Sequence, residues 1–220
     1  MNIEPVAFFH SPLKEKFGIP RQSGLAPDLP GEVRFVAPYD APEAVRGLEG
    51  FDYCWLIWGF SLNAGAPGHL TVRPPRLGGN ERVGVFASRS PFRPNAMGLS
   101  CVRIGRVAPG IIEVYGADLA DGTPVYDVKP YVEYADSRSG VRSGFVDSNE
   151  WTPLSVEVPD GLSEKFLPSE LEALVQILSQ DPRPRYQDDP ERLYGMSFGS
   201  WEIKFSVRDG KLFVRSAEKC

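Results

Sequence analysis

The chain of 220 residues is 42% hydrophobic and 24% charged, so it can bury a sizeable core, and we expect a globular protein with one large domain or two modest ones. Its formal net charge of −5 excludes a polybasic coat for nucleic acid, and any contact with RNA must therefore use a local patch. Three dispersed cysteines without a CxxC pair argue against a disulfide framework or a zinc knuckle. No apolar run approaches the length of a membrane span or follows the pattern of a signal peptide, so we expect a soluble, cytoplasmic protein.

The first two thirds of the chain are rich in predicted strands. Short segments of Val, Ile, Phe, Tyr and Trp alternate with turns containing Gly, Pro, Asp and Asn. We expect a hairpin turn at 108–110 and one short helix in APEAVRGLEG. Because strands do not alternate with helices, a parallel sheet is disfavoured, and a mainly β barrel or sandwich is expected. The predicted strands are IEPVAFF, GEVRFVAPY, FDYCWLIWGFSL, RVGVFAS, LSCVRIGRV, GIIEVYGADL and PVYDVKPYVEY.

The composition changes between residues 135 and 150, where Ser, Gly, Asp and Arg predict a linker or mobile loop. Beyond it, SELEALVQILSQ has the periodicity of an amphipathic helix, and Ser169 and Glu172 have the spacing of a capping box. WEIKFSVRDGKLFVRS predicts a hairpin that turns at Asp209–Gly210. We therefore expect a β-rich domain over 1–145 and a smaller α+β domain over 146–220. The predicted apolar faces are Leu171, Leu174, Val175 and Leu178 on the helix, and Trp201, Ile203, Phe205, Val207, Leu212 and Val214 in the hairpin.

Several common catalytic motifs are missing from the chain. His10 and His69 stand without a cluster of metal-ligating residues, so we expect no metal site. The chain contains no GxSxG elbow, and no Cys/His pairing is evident. Nucleophilic catalysis is therefore weakly supported. The glycine-rich RLGGNERVG matches neither a dinucleotide fingerprint nor a phosphate loop. Any nucleotide-like cofactor must therefore bind to another scaffold.

Residues 73–93 form a basic segment in an acidic protein: they contain five arginines and one acidic residue, which gives a local formal charge of +4. A sheet edge protected by arginines and prolines would explain the segment. Guanidinium groups also suit phosphate and carboxylate, and the prolines would limit the entropy lost in holding them. Both interpretations stay open. The arginines are Arg73, Arg76, Arg82, Arg89 and Arg93.

A second polar segment is DLADGTPVYDVKPYVEY, which predicts a turn at Asp121–Gly122 followed by a strand. A period of two places Val125, Asp127 and Lys129 on one face of that strand. The carboxylate and the ammonium group would then be neighbours, either as a structural ion pair of an edge strand or as part of a functional site.

Five stretches of the chain match one known family of enzymes: SPLKEKFGIPRQSGL, GLEGFDYCWLIWGF, RPPRLGGNERVGVFASRSPFRPNAMGLS, DLADGTPVYDVKPY and DPRPRY. Through these stretches the chain resembles the TsaA-like, or TrmO, family. Members of that family are S-adenosylmethionine-dependent methyltransferases that modify threonylcarbamoyl-adenosine beside the anticodon of certain tRNAs. The resemblance implies an antiparallel β-barrel that binds the cofactor without a Rossmann sheet, usually as a homodimer, followed by a smaller C-terminal domain.

The resemblance also implies which residues line the cofactor pocket, although the family often has a histidine where this chain has Ser61. S-adenosylmethionine presents an adenine, a ribose, an amino-acid head and a sulfonium, so its pocket needs an aromatic slot, hydrogen-bond acceptors and an anion clamp. Phe60, Gln22, Asp118 and Arg89 offer these properties. The implied pocket residues are Pro20, Arg21, Gln22, Phe60, Ser61, Arg89, Ser90, Leu99, Ala117, Asp118 and Leu119.

Methyl transfer to the exocyclic amine of adenine depends mainly on positioning, although an acceptor for the amine proton should help. Asp121 or Asp127, the latter beside Lys129, could accept that proton, and the sequence does not choose between them. The target base must also leave the stack of the anticodon loop. Candidate contacts to the tRNA are Arg76, Arg93, Asn95, Tyr131, Arg183 and Tyr186.

Two alternatives to a tRNA methyltransferase stay open on the sequence. One is a barrel that binds a nucleotide or RNA without catalysis. The other is a methyltransferase that acts on a small molecule or a protein. The proline-rich DPRPRY segment could likewise serve only to end the preceding helix.

Overall fold

The structure is a computed structural model that describes residues 2–63, 68–74, 81–149, 151–183 and 189–220. The described residues of the N-terminal part form eight strands, six of which close into an antiparallel barrel in the order β1-β2-β7-β6-β3-β8. The mainly β prediction and the barrel implied by the family resemblance are confirmed. The strands are β1 (Ala7–His10), β2 (Pro30–Phe35), β3 (Tyr53–Gly59), β4 (Thr71–Val72), β5 (Val83–Gly84), β6 (Met97–Ala108), β7 (Ile111–Tyr115) and β8 (Thr123–Pro130).

Alternation of apolar and polar residues explains the barrel strands, because every second side chain of a strand points inward. On β3, for example, Cys54, Leu56 and Trp58 are buried in the barrel core, while the residues between them are partly exposed. The predicted hairpin between β6 and β7 is present, with Gly110 in a left-handed conformation at the turn. Two short helices accompany the barrel strands: α1 (Pro42–Val45) lies between β2 and β3, and α2 (Glu133–Asp136) follows β8. Helix α1 agrees with the helix predicted in APEAVRGLEG.

The prediction that RVGVFAS forms one of the barrel strands is wrong. Only Val83–Gly84 is extended, and it pairs with β4 in a separate two-stranded ribbon. Val85–Ala87 then forms a turn of 3-10 helix, because both the backbone N–H and the hydroxyl of Ser88 donate hydrogen bonds to the carbonyl oxygen of Val85. These local bonds compete with strand pairing.

A bulge in β8 changes which side chains face the core. Ile57 pairs with Asp127 and Trp58 pairs with Val125, so Tyr126 is skipped in the register. Val125 is therefore buried in the barrel, whereas Asp127 lies on its outside with Lys129. The prediction that Val125 shares a strand face with Asp127 and Lys129 is wrong, because the extra residue shifts the alternation.

The C-terminal part is an α+β unit, as predicted. Its sheet has the order β10-β11-β12-β9, and β9 is parallel to β12. Asp209 and Gly210 both have positive φ at the turn between β11 and β12, in agreement with the predicted hairpin. The elements are β9 (Ser155–Glu157), α3 (Asp160–Ser163), α4 (Pro168–Ser179), β10 (Tyr194–Phe198), β11 (Trp201–Arg208) and β12 (Lys211–Lys219).

Helix α4 covers the predicted segment, but its N-terminus differs from the prediction. The helix begins at Pro168, a residue that favours the first helical position because it lacks an N–H group. The carboxylate of Glu170 accepts a hydrogen bond of 3.0 Å from the backbone N–H of Leu167. The predicted capping box of Ser169 and Glu172 is therefore wrong, since the helix starts two residues too early for it.

The core of the C-terminal unit also contains residues of the loop 11–29, which connects β1 to β2. Leu13, Ala26 and Leu29 are buried in the same cluster as the side chains of α4 and the C-terminal sheet. Phe17 stacks on Phe205 of β11, with ring centroids 6.3 Å apart. The two parts of the chain therefore share a packed interface at this loop.

The ends of the strands define what we call the barrel mouth. β1, β3 and β7 end there and β2, β6 and β8 begin there, so the connections 11–29, 60–96 and 116–122 all lie at this end. In the described residues, no helix is both long enough and apolar enough to pass through a bilayer.

Candidate active site

At the barrel mouth, two of the three connections are joined by a direct side-chain contact. The guanidinium group of Arg89 donates a hydrogen bond of 2.5 Å from Nη1 to Oε1 of Gln22. Arg89 is exposed and Gln22 is partly buried. A cation and an amide that are 67 residues apart in sequence thus meet at the mouth. The arrangement presents a positive charge and amide dipoles to a ligand.

The third connection brings Asp118 to the mouth, where it ends a chain of hydrogen bonds. Nε1 of Trp58 donates to Oγ of Ser100 over 2.9 Å, and the Ser100 hydroxyl donates to Oδ1 of Asp118 over 2.5 Å. Trp58 and Ser100 are buried inside the barrel. The ring of Trp58 occupies the space that a Cβ atom at Gly98 would need. The barrel interior therefore fixes the orientation of the Asp118 carboxyl group.

Burial raises the pKa of Asp118 above its ordinary value, because the ionised form loses hydration. The Ser100 hydroxyl, the charge of Arg89 and a backbone hydrogen bond from Ser23 act in the opposite direction. A ligand that donates hydrogen bonds or carries a positive charge would stabilise the carboxylate further. Asp118 is thus suited to accept hydrogen bonds from hydroxyl or amino groups.

Several other residues that the resemblance implies for the pocket lie at the same mouth. Phe60 packs edge to face against Trp58, with ring centroids 4.4 Å apart. Ser61 begins a short 3-10 helix, and Ser90 accepts a hydrogen bond of 3.2 Å from the backbone N–H of Phe92. Pro20 is buried and Arg21 is partly buried in the loop 11–29.

The side chains of Ala117 and Leu119 are buried in the barrel core rather than directed at solvent. These two residues flank Asp118 in the connection 116–122. Asp121 lies at the same end. Its Oδ1 atom accepts a hydrogen bond of 3.1 Å from the backbone N–H of Ser11 and lies 3.4 Å from Nδ1 of His10.

Leu99, Asp127 and Lys129 lie on the outer wall, by which we mean the solvent side of β6, β3 and β8. Leu99 pairs with Ile57, and Ile57 pairs with Asp127. Leu99 is 57% exposed, and Asp127 forms an ion pair of 2.8 Å with Lys129. The hydrogen bond and the charge of Asp127 raise the pKa of Lys129. The register places Asp127 beside Ile57, three residues along β3 from Phe60, so the structure does not bring it to the barrel mouth.

The candidate RNA contacts are placed less favourably than the sequence suggests. Arg93 donates from Nη1 to the backbone oxygens of Ser88, over 2.6 Å, and Val85, over 3.3 Å. Tyr131 packs against Tyr53 and Trp55, with centroid distances of 6.2 and 6.0 Å, at the end of the barrel opposite the mouth.

Arg183 is held within its own segment. Its guanidinium group forms hydrogen bonds of 2.8 and 3.0 Å with Asp181, and its side chain is 11% exposed, so a contact of Arg183 with RNA stays a prediction. Asn95 is exposed beside the mouth. Arg76 and Tyr186 lie outside the described residues. Within the described ranges, no group of three or more His, Cys, Asp or Glu side chains could hold a metal ion.

Trp58, Ser100 and Gly98 were not predicted as site residues. The signal was present in GLS, where a glycine and a serine two residues apart point to the same side of β6. A glycine and a serine on the same inward face are typical of a place where a large ring covers the glycine and donates a hydrogen bond to the serine hydroxyl, as Trp58 does with Gly98 and Ser100. That interpretation required knowing which strand is the neighbour of β6.

Two family models match the chain. The tRNA-methyltransferase O N-terminal domain matches residues 8–137, and the TrmO C-terminal domain matches residues 154–219. The first covers the barrel and the residues at its mouth. The second covers the C-terminal sheet and α4.

Comparisons with individual proteins agree with these matches. The chain is 40% identical to the tRNA (adenine(37)-N6)-methyltransferase of Escherichia coli K12 over 93% of this chain and 91% of that protein. It is 39% identical to a putative S-adenosylmethionine-dependent methyltransferase, RcsF, of Pseudomonas aeruginosa, over 92% and 90% of the two chains. A crystal structure of TrmO from Pseudomonas aeruginosa superposes with a TM-score of 0.82 at 31% identity, covering 99% of this chain and 98% of that one. The chain therefore belongs to the TrmO family.

Proposed function

We propose that the protein is an S-adenosylmethionine-dependent methyltransferase that methylates the exocyclic amine of threonylcarbamoyl-adenosine next to the anticodon of tRNA. The observation that carries the proposal is the meeting of Gln22, Arg89 and the Ser100–Asp118 pair at one end of the barrel. The relatives named as tRNA (adenine(37)-N6)-methyltransferases, in Escherichia coli and Eikenella corrodens, support the reaction and the substrate class.

The residues at the mouth fit S-adenosylmethionine in charge and in hydrogen bonding. Arg89 would bind the carboxylate of the amino-acid head, and Asp118 would accept hydrogen bonds from amino or hydroxyl groups. Phe60 offers an aromatic surface to the adenine ring. When bound, the cofactor supplies a methyl group that a nucleophile can accept. The chain's own task is to hold the donor and the amine in line at contact distance, which can supply several kcal/mol of rate acceleration.

We infer that Asp121 rather than Asp127 accepts the proton that the amine loses. Asp121 lies at the mouth, in the same connection as Asp118, whereas Asp127 lies on the outer wall in an ion pair with Lys129. Within one copy of the chain, Lys129 and Asp127 are therefore assigned to the surface of β8.

We propose that the protein acts in the cytoplasm as a homodimer, with the outer wall as the contact between copies. Leu99 is exposed and lies beside Ile57 on the outer wall. Phe8 on β1, the strand that pairs with the other edge of β8, is also an exposed apolar side chain. A second copy would cover this apolar surface. Leu99→Glu should then shift the sedimentation coefficient toward that of a monomer.

The central experiment measures methyl transfer from labelled S-adenosylmethionine to purified tRNA, with mass spectrometry of the nucleosides. Wild-type protein should methylate tRNA that carries the threonylcarbamoyl group and leave tRNA without it unmodified. Arg89→Ala and Asp118→Asn should each weaken cofactor binding, measured by calorimetry, whereas Lys211→Ala in the C-terminal sheet should not. Equal transfer to both tRNAs would contradict the proposed substrate, and cofactor binding without transfer to any tRNA would contradict the proposed reaction.

A further inference from the structure

Two large apolar side chains are exposed beside the ribbon β4–β5, one just before β4 and the other just after β5. Leu70 is 90% exposed and Phe86 is 77% exposed. Their backbones are adjacent, because the N–H of Val85 donates a hydrogen bond of 3.0 Å to the carbonyl oxygen of Leu70. One exposed apolar residue is ordinary on a protein surface. Two on hydrogen-bonded backbone segments, in the connection that also carries Arg89, indicate a surface that binds a partner.

The backbone that carries Phe86 is held rigidly. Arg93 donates from Nη1 to the carbonyl oxygens of Val85 and Ser88, which bracket the 3-10 turn. The same guanidinium group lies 5.7 Å from the centroid of the Phe86 ring. Arg93 thus supports both the turn and one side of the ring. An exposed aromatic ring on a rigid support loses little conformational entropy when a partner stacks on it.

The charges around Phe86 favour a nucleic acid as the partner. Residues 81–95 contain Arg82, Arg89 and Arg93 but one acid, Glu81, in a protein with a net charge of −5. Arg82 donates a hydrogen bond of 3.1 Å from Nη1 to Thr71, the residue after Leu70. Unpaired bases stack on aromatic rings, and a positively charged surface around the ring attracts the phosphate backbone of the same RNA. A symmetric contact with a second copy would instead place these arginines against like charges.

We propose that Phe86 is the stacking platform for an unpaired base of the tRNA anticodon loop, adjacent to the nucleotide that is methylated. The proposal rests on the proposed function for the identity of the RNA. Phe86 is three residues before Arg89, which contacts Gln22 at the mouth, so the platform lies beside the candidate cofactor site. Arg93, expected from the sequence to contact RNA itself, acts through the ring that it supports.

The test compares Phe86→Ala and Phe86→Trp with Tyr134→Ala. Tyr134 is a matched control, because it is also a highly exposed aromatic residue, and it lies on α2, away from the mouth. Affinity for a fluorescein-labelled anticodon stem-loop is measured by anisotropy, affinity for S-adenosylmethionine by calorimetry and oligomeric state by sedimentation. Loss of one stacked base should weaken RNA binding by about tenfold or more in Phe86→Ala. Phe86→Trp and Tyr134→Ala should bind RNA like the wild type, and all variants should bind the cofactor equally.

Two results would overturn the platform. Unchanged RNA affinity in Phe86→Ala would show that the ring does not stack on a base. A shift of Phe86→Ala to a monomer, with a parallel loss of cofactor affinity, would show that a second copy covers the ring. The proposed function can fail separately: a wild-type protein that binds the stem-loop through Phe86 but methylates no tRNA keeps the platform and loses the reaction. Conversely, if the wild type methylates tRNA but Phe86→Ala binds RNA as tightly as the wild type, the proposed reaction stands and the platform does not.

Discussion

Ser100 connects the interior of the barrel to the candidate cofactor site. Its hydroxyl accepts a hydrogen bond from Trp58 and donates one to Asp118, so one buried side chain satisfies two partners. Burial raises the pKa of Asp118, and the bond from Ser100 partly counteracts that shift. The tuning of this carboxyl group therefore depends on a residue that need not touch the cofactor.

Ser100→Ala should have two measurable effects. The buried N–H group of Trp58 loses its partner, so the free energy of unfolding should fall by about 1–3 kcal/mol, measured by urea denaturation. The pKa of Asp118 should rise further, because a bond to its ionised form is lost. If Asp118 binds the cofactor in its ionised form, as proposed, binding weakens as the pH falls through that pKa, so the loss of affinity should begin at a higher pH than in the wild type. The exposed Ser155→Ala in β9 is the control, and an unshifted pH profile of binding would contradict the role of Ser100.

The two candidate proton acceptors can be separated by a pair of isosteric substitutions. Asp121→Asn should lower the single-turnover rate of methyl transfer by about 100-fold or more, the usual contribution of a positioned general base. Asp127→Asn should leave that rate close to the wild-type value, because Asp127 lies outside the barrel. Both rates are measured at saturating cofactor and tRNA. An equal loss in the two variants would place the outer wall in the reaction.

At the scale of elements, the pairing of β3 with β6 depends on a residue without a side chain. The ring of Trp58 fills the space above Gly98, and Trp58 pairs with Gly98 in the register. A methyl group there must displace a buried ring that is also bonded to Ser100.

Gly98→Ala should therefore destabilise the protein by about 1–3 kcal/mol through overpacking. Gly84→Ala in β5 is a matched control, since a Cβ atom there meets no other atom within 4 Å. Urea denaturation of both variants gives the comparison. A Gly98→Ala variant as stable as Gly84→Ala would mean that Trp58 can move at little cost.

The strands could be predicted where apolar and polar residues alternate regularly. The prediction failed where local hydrogen bonds or a bulge disturb that alternation. β1, β2, β3, β6, β7 and β8 follow such alternation in the sequence. The turn at Val85–Ala87 was missed because its stability comes from Ser88 and Arg93, which bond to the backbone rather than to a partner strand. The bulge at Tyr126 could not be predicted, because one extra residue in a strand leaves no mark in composition.

The candidate site was predictable in part. Gln22, Arg89 and Asp118 came from the family resemblance, and the structure places them at one barrel end. Trp58 and Ser100 were missed because both have the composition of an ordinary core. Arg93 and Arg183 were expected to contact RNA, but their guanidinium groups bond to their own segments, which net charge alone cannot reveal.

At the scale of the whole molecule, the C-terminal unit braces the loop that carries Pro20, Arg21 and Gln22. Gln176 of α4 accepts a hydrogen bond of 2.9 Å from the N–H of Asp28 and donates one of 2.5 Å to its carboxylate. Gly199 donates to the carbonyl oxygen of Pro12 over 2.8 Å. The division of the chain near residue 145 stays a prediction.

Asp28→Ala should loosen this brace, whereas Asp28→Asn keeps an acceptor for Gln176. We expect weaker cofactor binding and faster amide hydrogen exchange in residues 11–29 for Asp28→Ala, with the maximal rate of methyl transfer little changed. The loss of one hydrogen bond corresponds to about 1 kcal/mol, or roughly fivefold in affinity. Restoration of both properties in Asp28→Asn would assign the effect to the bond rather than to the charge near Arg103. Equal cofactor affinity in all three proteins would show that the brace has no influence on the pocket.

The shared packing of the loop 11–29 has a consequence for synthesis on the ribosome. Leu13, Ala26 and Leu29 leave the exit tunnel early, but the side chains that enclose them, such as Leu174 and Phe205, are translated more than 140 residues later. Through most of translation these leucines have no native neighbours, and contacts so distant along the chain form late. The nascent polypeptide therefore completes the packing of the loop 11–29 only after Leu174 and Phe205 have been made.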